Sequence, residues 1–537
     1  MIEAAVGGAR VSVHGPLAED AETLRDQLID DRVPTGITER KLSMWPPSVA
    51  ADVVPRMTWL DLPTSSSDLP SVVHGLAAER AELDRVVLLG MGGSSLAAEV
   101  IAVAAEQPLR VLDTTDPHQV LAVMAEEPAR LLVVLASKSG ETIESESLSR
   151  VFVDHLRLHL GEAAATRHIV AITDPGSHLH ATAMQAGYAC VLSDPMVGGR
   201  FSALGPFGLV APGLLGADIA AVVREAAAVR PSLASDADNP GLLLGAALVA
   251  AAERGRDKLL LYAEGATARG LPDWVEQLVS ESTGKDGRGI LPVIGSAQTA
   301  APADAVRVVL GVSPRGTADI VVDAPLGAQF LLWEYATTVA SHRLGVNPFD
   351  QPNVEESKIN TRAVLAGEHA DSGEAPVLVT DAVEVHLNPG RTGGPARFER
   401  LEEVFQWLLT MSEPVGYLAV MAFLDRSGDQ RVAQLVHRLR ERTSRPVTFG
   451  WGPRFLHSSG QLHKGGPPTG TFLQITAAVA GDVRVPGRPF GLAELQAAQA
   501  EGDRLALARR GRPVVRLHLR DRQAGIDELI AAARRWS

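Results

Sequence analysis

The sequence predicts an α/β protein: two doubly wound parallel-sheet domains flanked by helices, with a helical segment in front and a tail behind. Three observations carry this. Short uninterrupted apolar runs recur along the chain, and such runs mark strands covered on both faces of a parallel sheet. Ala-rich amphipathic stretches such as 96–105 separate them, as crossover helices do. At 537 residues the chain is also longer than one core usually organises.

Residues 1–75 carry weak helical patterns, a turn at Trp45-Pro46-Pro47 and a polar loop from Pro63, and are expected to form a helical layer. Apolar runs at 85–90, 109–113, 131–136 and 168–173 are the strands expected of a first domain, 76–235. The rhythm returns at 258–262, 306–311, 319–323 and 417–421, with helices over 326–343, 398–411 and 428–441. This predicts a second domain, 236–450. Asn239-Pro240-Gly241 reads as a turn near their junction, and 366–398 as including an exposed loop. Residues 451–537 read as a Gly/Pro-rich loop followed by helical and short strand pieces.

Composition narrows the function classes. A formal charge of −14 disfavours general nucleic-acid binding. No apolar run reaches the roughly 18 residues that span a bilayer, and the N-terminus lacks the pattern of a signal peptide. Cys190 is the single cysteine, so an internal disulfide and a thiolate metal cluster are excluded; a reducing cytoplasm fits. Of 50 basic residues only 6 are Lys, which singles out the three in Gly/Ser-rich segments: Lys138, Lys285 and Lys464.

Six segments are candidates for chemistry. Gly90-Met-Gly-Gly-Ser-Ser95 joins a strand to a helix. Its glycines admit a ligand close to the backbone, Gly93 and Ser94 stand at the turn, and the helix start favours an anion. A dinucleotide site is the alternative there, with Asp113 about 20 residues on, although the spacing departs from Gly-x-Gly-x-x-Gly. Ser137-Lys-Ser-Gly-Glu-Thr142 places three hydroxyls and a cation at a second helix start, a cradle for an oxyanion. Arg200 follows Gly198-Gly199, and its guanidinium suits a phosphate, a developing oxyanion or a structural contact. In 272–285, Asp273 is placed to cap a helix and Gly284 to end it. Gln277 and Glu281 share one face, and the helix end disfavours the Glu281 carboxylate, as suits a general base. The proline-rich 345–355 reads as a rigid turn. His457, His463 and Lys464 lie in one Gly-bounded loop and suit proton transfer better than metal binding.

In order, these segments resemble the glucose-6-phosphate isomerase family. The family pattern reads here as 90–94, 137–144, 198–202, 277–285, 347–355 and Lys464. The loops near 455–466 look most like the isomerase half of transaldolase–isomerase fusions, with no transaldolase barrel pattern before it. The resemblance implies two sugar-isomerase (SIS-type) domains, a homodimer and a sugar-phosphate substrate. No metal or redox cofactor and no nucleic-acid or membrane partner is expected. It implies that Ser94, Ser137, Lys138, Ser139 and Thr142 hold the phosphate, that Arg200 stabilises an enediolate, and that Glu281 is the base beside Gln277. Glu144 and Lys464 would form a supporting pair at the sugar. The family's ring-opening His is missing between 282 and 341, His342 falls inside a predicted helix, and His457 or His463 is the expected substitute. Activity on mannose 6-phosphate and a non-catalytic sugar-phosphate sensor are the competing readings.

Overall fold

The computed structural model describes residues 1–295, 302–312, 318–368, 375–388, 397–411 and 415–536. Contacts divide them into two compact units. The first takes those in 1–113, 126–297 and 303–350, the second those in 114–125, 298–302 and 351–537.

The first unit opens with strands where a helical layer was expected. β1 (Ile2–Val6) and β2 (Ala9–Val13) form an antiparallel hairpin. Gly7 and Gly8 make its turn with φ of +58° and +82°, the backbone a two-residue hairpin demands. Helix begins only at Leu17–Asp30. The expected apolar runs then appear as β3 (Arg85–Leu89), β4 (Arg110–Leu112), β5 (Leu131–Ala136) and β6 (Ile169–Thr173), joined by β7 (Ala189–Leu192). All pair in parallel in the order β4-β3-β5-β6-β7. β8 (Lys258–Ala263), β9 (Leu291–Ile294), β10 (Ala305–Leu310) and β11 (Ile320–Asp323) are parallel to one another, and the hairpin extends that sheet antiparallel to β11.

One hydrophobic core joins both sheets to the helices between them. Asn239-Pro240-Gly241 lies inside this unit and starts a helix, Pro240–Glu253, instead of a turn between domains. Asn239 caps it, accepting from Leu242 N at 2.9 Å, and proline fits the first turn because its missing N–H is not needed there. Gly241 and Gly245 let this helix close on the helix Leu326–Leu344. A Cβ at either would stand 2.8 Å from Tyr335 or Val339.

The second unit holds β12 (Leu378–Val379), β13 (Val383–Asn388), β14 (Tyr417–Ala422), β15 (Val447–Trp451), β16 (Gly470–Ala477) and β17 (Val514–Leu519). They run in the order β12-β13-β17-β16-β14-β15, with β14 to β17 parallel and β13 antiparallel to β17. The apolar run at 417 therefore pairs with β15 and β16, in a different sheet from the run at 258. Val385, Leu473, Ile475, Val515 and Leu517 share a core with the helices Leu401–Thr410, Ala433–Arg442 and Arg522–Arg535. Part of the loop expected over 366–398 lies outside the described residues. The fold class is thus α/β with parallel-sheet domains.

Candidate active site

β3 and β5 are neighbours, so the segments that follow them emerge side by side at the carboxyl edge of the sheet, where α/β sheets bind ligands. A Cβ on Gly90 would stand 2.9 Å from Ser94 O and 3.1 Å from Ala136 O, so glycine lets the two segments abut. Gly93 is tighter. A Cβ there would lie 2.1 Å from the carbonyl carbon of Gly199 and 2.6 Å from Arg200 N. The turn Gly92–Ser94 therefore packs directly on the short helix Gly199–Phe201, and Gly93 fixes where the Arg200 backbone stands.

The segment after β5 leads into the helix Ile143–Leu160, with Thr142 at its cap position. Ser137 Oγ accepts from Gly140 N and Ser139 Oγ from Glu141 N, each at 3.1 Å. Gly140 takes a φ of +75° at this bend, where a Cβ would meet Leu179 N at 2.5 Å. Lys138 Nζ pairs with Asp174 at 2.9 Å, donates to Asp194 O at 3.3 Å and lies over the Phe207 ring. Its charge is thus shared with Asp174, a partner 36 residues away that the motif alone does not reveal. Glu144 is buried in the first helical turn.

The helix Leu271–Thr283 starts after Gly270, whose φ is +82°. Asp273 lies in the first turn and is not the cap; Gly284 follows the last residue. Gln277 Nε2 donates to Glu281 Oε2 at 3.2 Å, as the four-residue spacing implies. Arg200 Nη1 faces Glu281 Oε1 at 3.4 Å, and both side chains are buried. A fixed cation, in addition to the helix end, faces this carboxylate. The remaining guanidinium nitrogens are spoken for: Nε donates to Ser282 Oγ at 2.9 Å, and Nη2 donates to Pro348 O at 2.6 Å and Asp350 O at 2.9 Å. Burial draws the guanidinium below its ordinary range, while Glu281 and Asp350 act in the opposite direction.

The turn at 347–350 is gripped by a second cation. Lys285 Nζ donates to Asn347 O, reaches Ser282 O at 3.1 Å and pairs with Asp350 at 2.8 Å. Burial, then the neighbouring Arg200 charge, push its ammonium down to about 8, against the pull of Asp350 and Glu281. Asn347 bonds Asp52 at 2.7 Å, and Phe349 stands edge-on to Phe201 at 4.8 Å. The turn is therefore a frame that aims Arg200 at Glu281. Ser282 and Asp52 are the partners in this frame that the sequence reading missed. Ser282 was adjacent to the singled-out Glu281; nothing marked Asp52.

Gly93, Arg200, Gln277 and Glu281 thus form one connected set, and Ser137, Lys138, Ser139, Thr142 and Glu144 another along the neighbouring strand end. Ser94 lies in the turn Gly92–Ser94, and Gly90, just before that turn, abuts the end of β5 at Ala136. His457, His463 and Lys464 belong to the second unit. Lys464 Nζ pairs with Asp503 at 2.6 Å with both side chains sealed from solvent, and donates to Gly460 O at 3.1 Å. His463 bonds the Tyr417 hydroxyl through Nδ1 at 2.9 Å, among Tyr417, Phe455 and Phe472. Burial, with help from Lys464 and Arg512, pushes its imidazole down to about 3, so it stands neutral at pH 7. Half-buried His457 ends the short helix Arg454–His457. His342 lies in the last turn of the helix Leu326–Leu344, edge-on to Trp45.

A scan against protein-family models finds no match. A probable glucose-6-phosphate isomerase of Haloarcula marismortui is 31% identical over 341 residues, 58% of this chain and 76% of the relative. The chain belongs to the glucose-6-phosphate isomerase family. A glucose-6-phosphate isomerase of Parabacteroides distasonis is 28% identical over 387 residues, 57% of this chain and 86% of the relative. The fold agrees with a solved glucose-6-phosphate isomerase of Chlamydia trachomatis: TM-score 0.54 and 16% identity, over 69% of this chain and 90% of that one. It also agrees with a solved hypothetical protein of Thermus thermophilus: TM-score 0.57 and 24% identity, over 66% of this chain and 100% of that one. By family this is a sugar-phosphate isomerase of the aldose–ketose class. Among the described residues, no helix is long and apolar enough to cross a membrane.

Proposed function

We propose that the chain interconverts glucose 6-phosphate and fructose 6-phosphate through a cis-enediol, with Glu281 as the base. The observation that supports this most strongly is the buried carboxylate 3.4 Å from a guanidinium that three other protein oxygens hold in place. The shift of a double bond between two adjacent sugar carbons needs one proton removed at C2 and returned at C1. One carboxylate on one face does both, and a positioned base contributes about 10²- to 10⁴-fold. Negative charge develops on the enediolate oxygens as the proton leaves. Arg200 meets it without titrating and without reorganising, because Ser282, Pro348 and Asp350 already fix its plane. Gln277 holds one Glu281 oxygen and leaves the other toward Arg200.

Ser94, Ser137, Ser139 and Thr142, with Lys138 and two helix starts, are the groups we assign to the phosphoryl group. Backbone N–H groups and the helix dipole favour an anion at such a strand end. The Lys138–Asp174 pair keeps that cation in place. The test is a coupled assay of fructose 6-phosphate conversion, with mannose 6-phosphate as the control that differs at C2. Conversion of fructose 6-phosphate supports the proposal; absence of conversion by folded protein overturns it.

A further inference from the structure

The second unit contains a polar chamber that the proposed isomerase chemistry does not use. Its floor follows from strand register. On one face of β13, β17 and β16, Glu384 stands opposite His518 and Thr476 opposite His518 from the other side. In the next row His386 and Gln474 flank Arg516 in the same way. These two rows carry six polar side chains, while the opposite face carries the apolar core of the unit. The helix Leu492–Arg509 covers the polar face and contributes Gln496, Glu501 and Arg504. Between them lies a cavity of about 530 Å³, in the range that holds small-molecule ligands.

The hydrogen-bond inventory of the chamber is lopsided. Both oxygens of Glu501 are engaged: Oε1 accepts from Arg504 Nη2 at 2.7 Å and Oε2 from Arg504 Nε at 2.9 Å, and Arg516 Nη2 forms an ion pair with Oε2 at 2.8 Å. Gln474 Oε1 accepts from Arg516 Nε at 2.6 Å. Thr476 and His518 bond each other at 2.9 Å. One buried donor is left over: Gln496 is 4% exposed, lines the cavity, and its Nε2 meets no acceptor among the described residues, while the Glu384 and Glu494 carboxylates stand elsewhere on the lining. A buried amide N–H without a partner costs about 1–3 kcal/mol, and native proteins keep few of them. An entering molecule meets the Gln496 amide and two guanidinium groups held by Glu501, with Glu384 and Glu494 as the further acids of the lining.

We propose that this chamber binds a small anionic metabolite whose carboxylate or phosphoryl oxygens accept from Gln496. Recognition belongs to the second unit alone, because every lining residue lies there.

The experiment uses the full chain with the first unit's site saturated by an equilibrated glucose 6-phosphate/fructose 6-phosphate mixture. Succinate and inorganic phosphate are then titrated separately by calorimetry, to distinguish a carboxylate from a phosphoryl ligand. The expected result is one equivalent of at least one probe bound, weakened at least about tenfold (about 1.4 kcal/mol) in Gln496→Leu, with fructose 6-phosphate turnover unchanged. Should Gln496→Leu not fold, Gln496→Glu, which replaces the donor by a negative acceptor at constant size, is expected to abolish binding. No binding of either probe, or equal binding in wild type and the folded variant, overturns the proposal.

Discussion

Lys285 and Lys464 look alike in the sequence and behave differently in the molecule. Each is one of six lysines in the chain, each adjoins glycine, and each is almost fully buried. Lys285 stands beside Arg200 and reaches two carbonyls and Asp350, whose side chain is 44% exposed. Burial, then the like charge of Arg200, push its ammonium down to about 8, at a site with a wet edge. Lys464 is sealed with Asp503, each side chain 1% exposed. A rare lysine beside glycine thus marks a buried cation, but the partner fixes its physics. That partner, Asp350 or Asp503, lies 65 or 39 residues on.

The comparison breaks most easily at Lys464. Lys464→Met leaves Asp503 buried without its cation and is expected to destabilise the second unit by about 3–5 kcal/mol in urea unfolding. Adding Asp503→Leu removes the stranded charge and recovers most of that loss. A change below about 1 kcal/mol in the single variant contradicts the sealed pair.

Lys285→Met sharpens the other side. Deprotonation of Lys285 near pH 8 weakens its grip on Asp350 and the frame of Arg200, so wild-type kcat/KM is expected to fall above that pH. The variant starts lower and lacks this limb. Stability moves the opposite way. The folded pKa lies below the unfolded value of about 10.4, so the unfolded chain binds more protons between about pH 8 and 10.4, and wild-type stability gains on the variant across that window. A limb that persists in Lys285→Met assigns it to another group.

His463→Phe is the smallest effect at pH 7, where only the Tyr417 bond is lost. Its depressed folded pKa means the unfolded chain binds the extra proton between about 3 and 6.5. Wild type therefore loses stability as pH falls through that window, by up to about 1.4 kcal/mol per unit. The variant is expected to lose one proton's worth less, read from unfolding curves at pH 7, 6 and 5. Parallel loss in both proteins would leave His463 out of the acid response.

Strands buried on both faces were legible because nothing interrupts their apolar runs, as at 131–136. β13 and β17 were not, because polar residues alternate with apolar ones along both and break the run. The β1–β2 hairpin escaped because its strands are five residues each and mix apolar with polar positions. Gly93, Arg200, Gln277 and Glu281 were all visible as motif residues, since close packing and a four-residue helical spacing leave marks in sequence. Asp52, Asp174 and Asp503 left none: each is an acid brought in from a distant element.

The central claim is that Glu281 carries the proton between neighbouring carbons. Fructose 6-phosphate incubated in deuterium oxide with wild type should yield glucose 6-phosphate deuterated at C2. Glu281→Gln should keep its fold and its affinity for fructose 6-phosphate, yet lose about 10²- to 10⁴-fold in turnover, with exchange falling in step. Near-normal turnover and deuterium incorporation in Glu281→Gln would contradict the account.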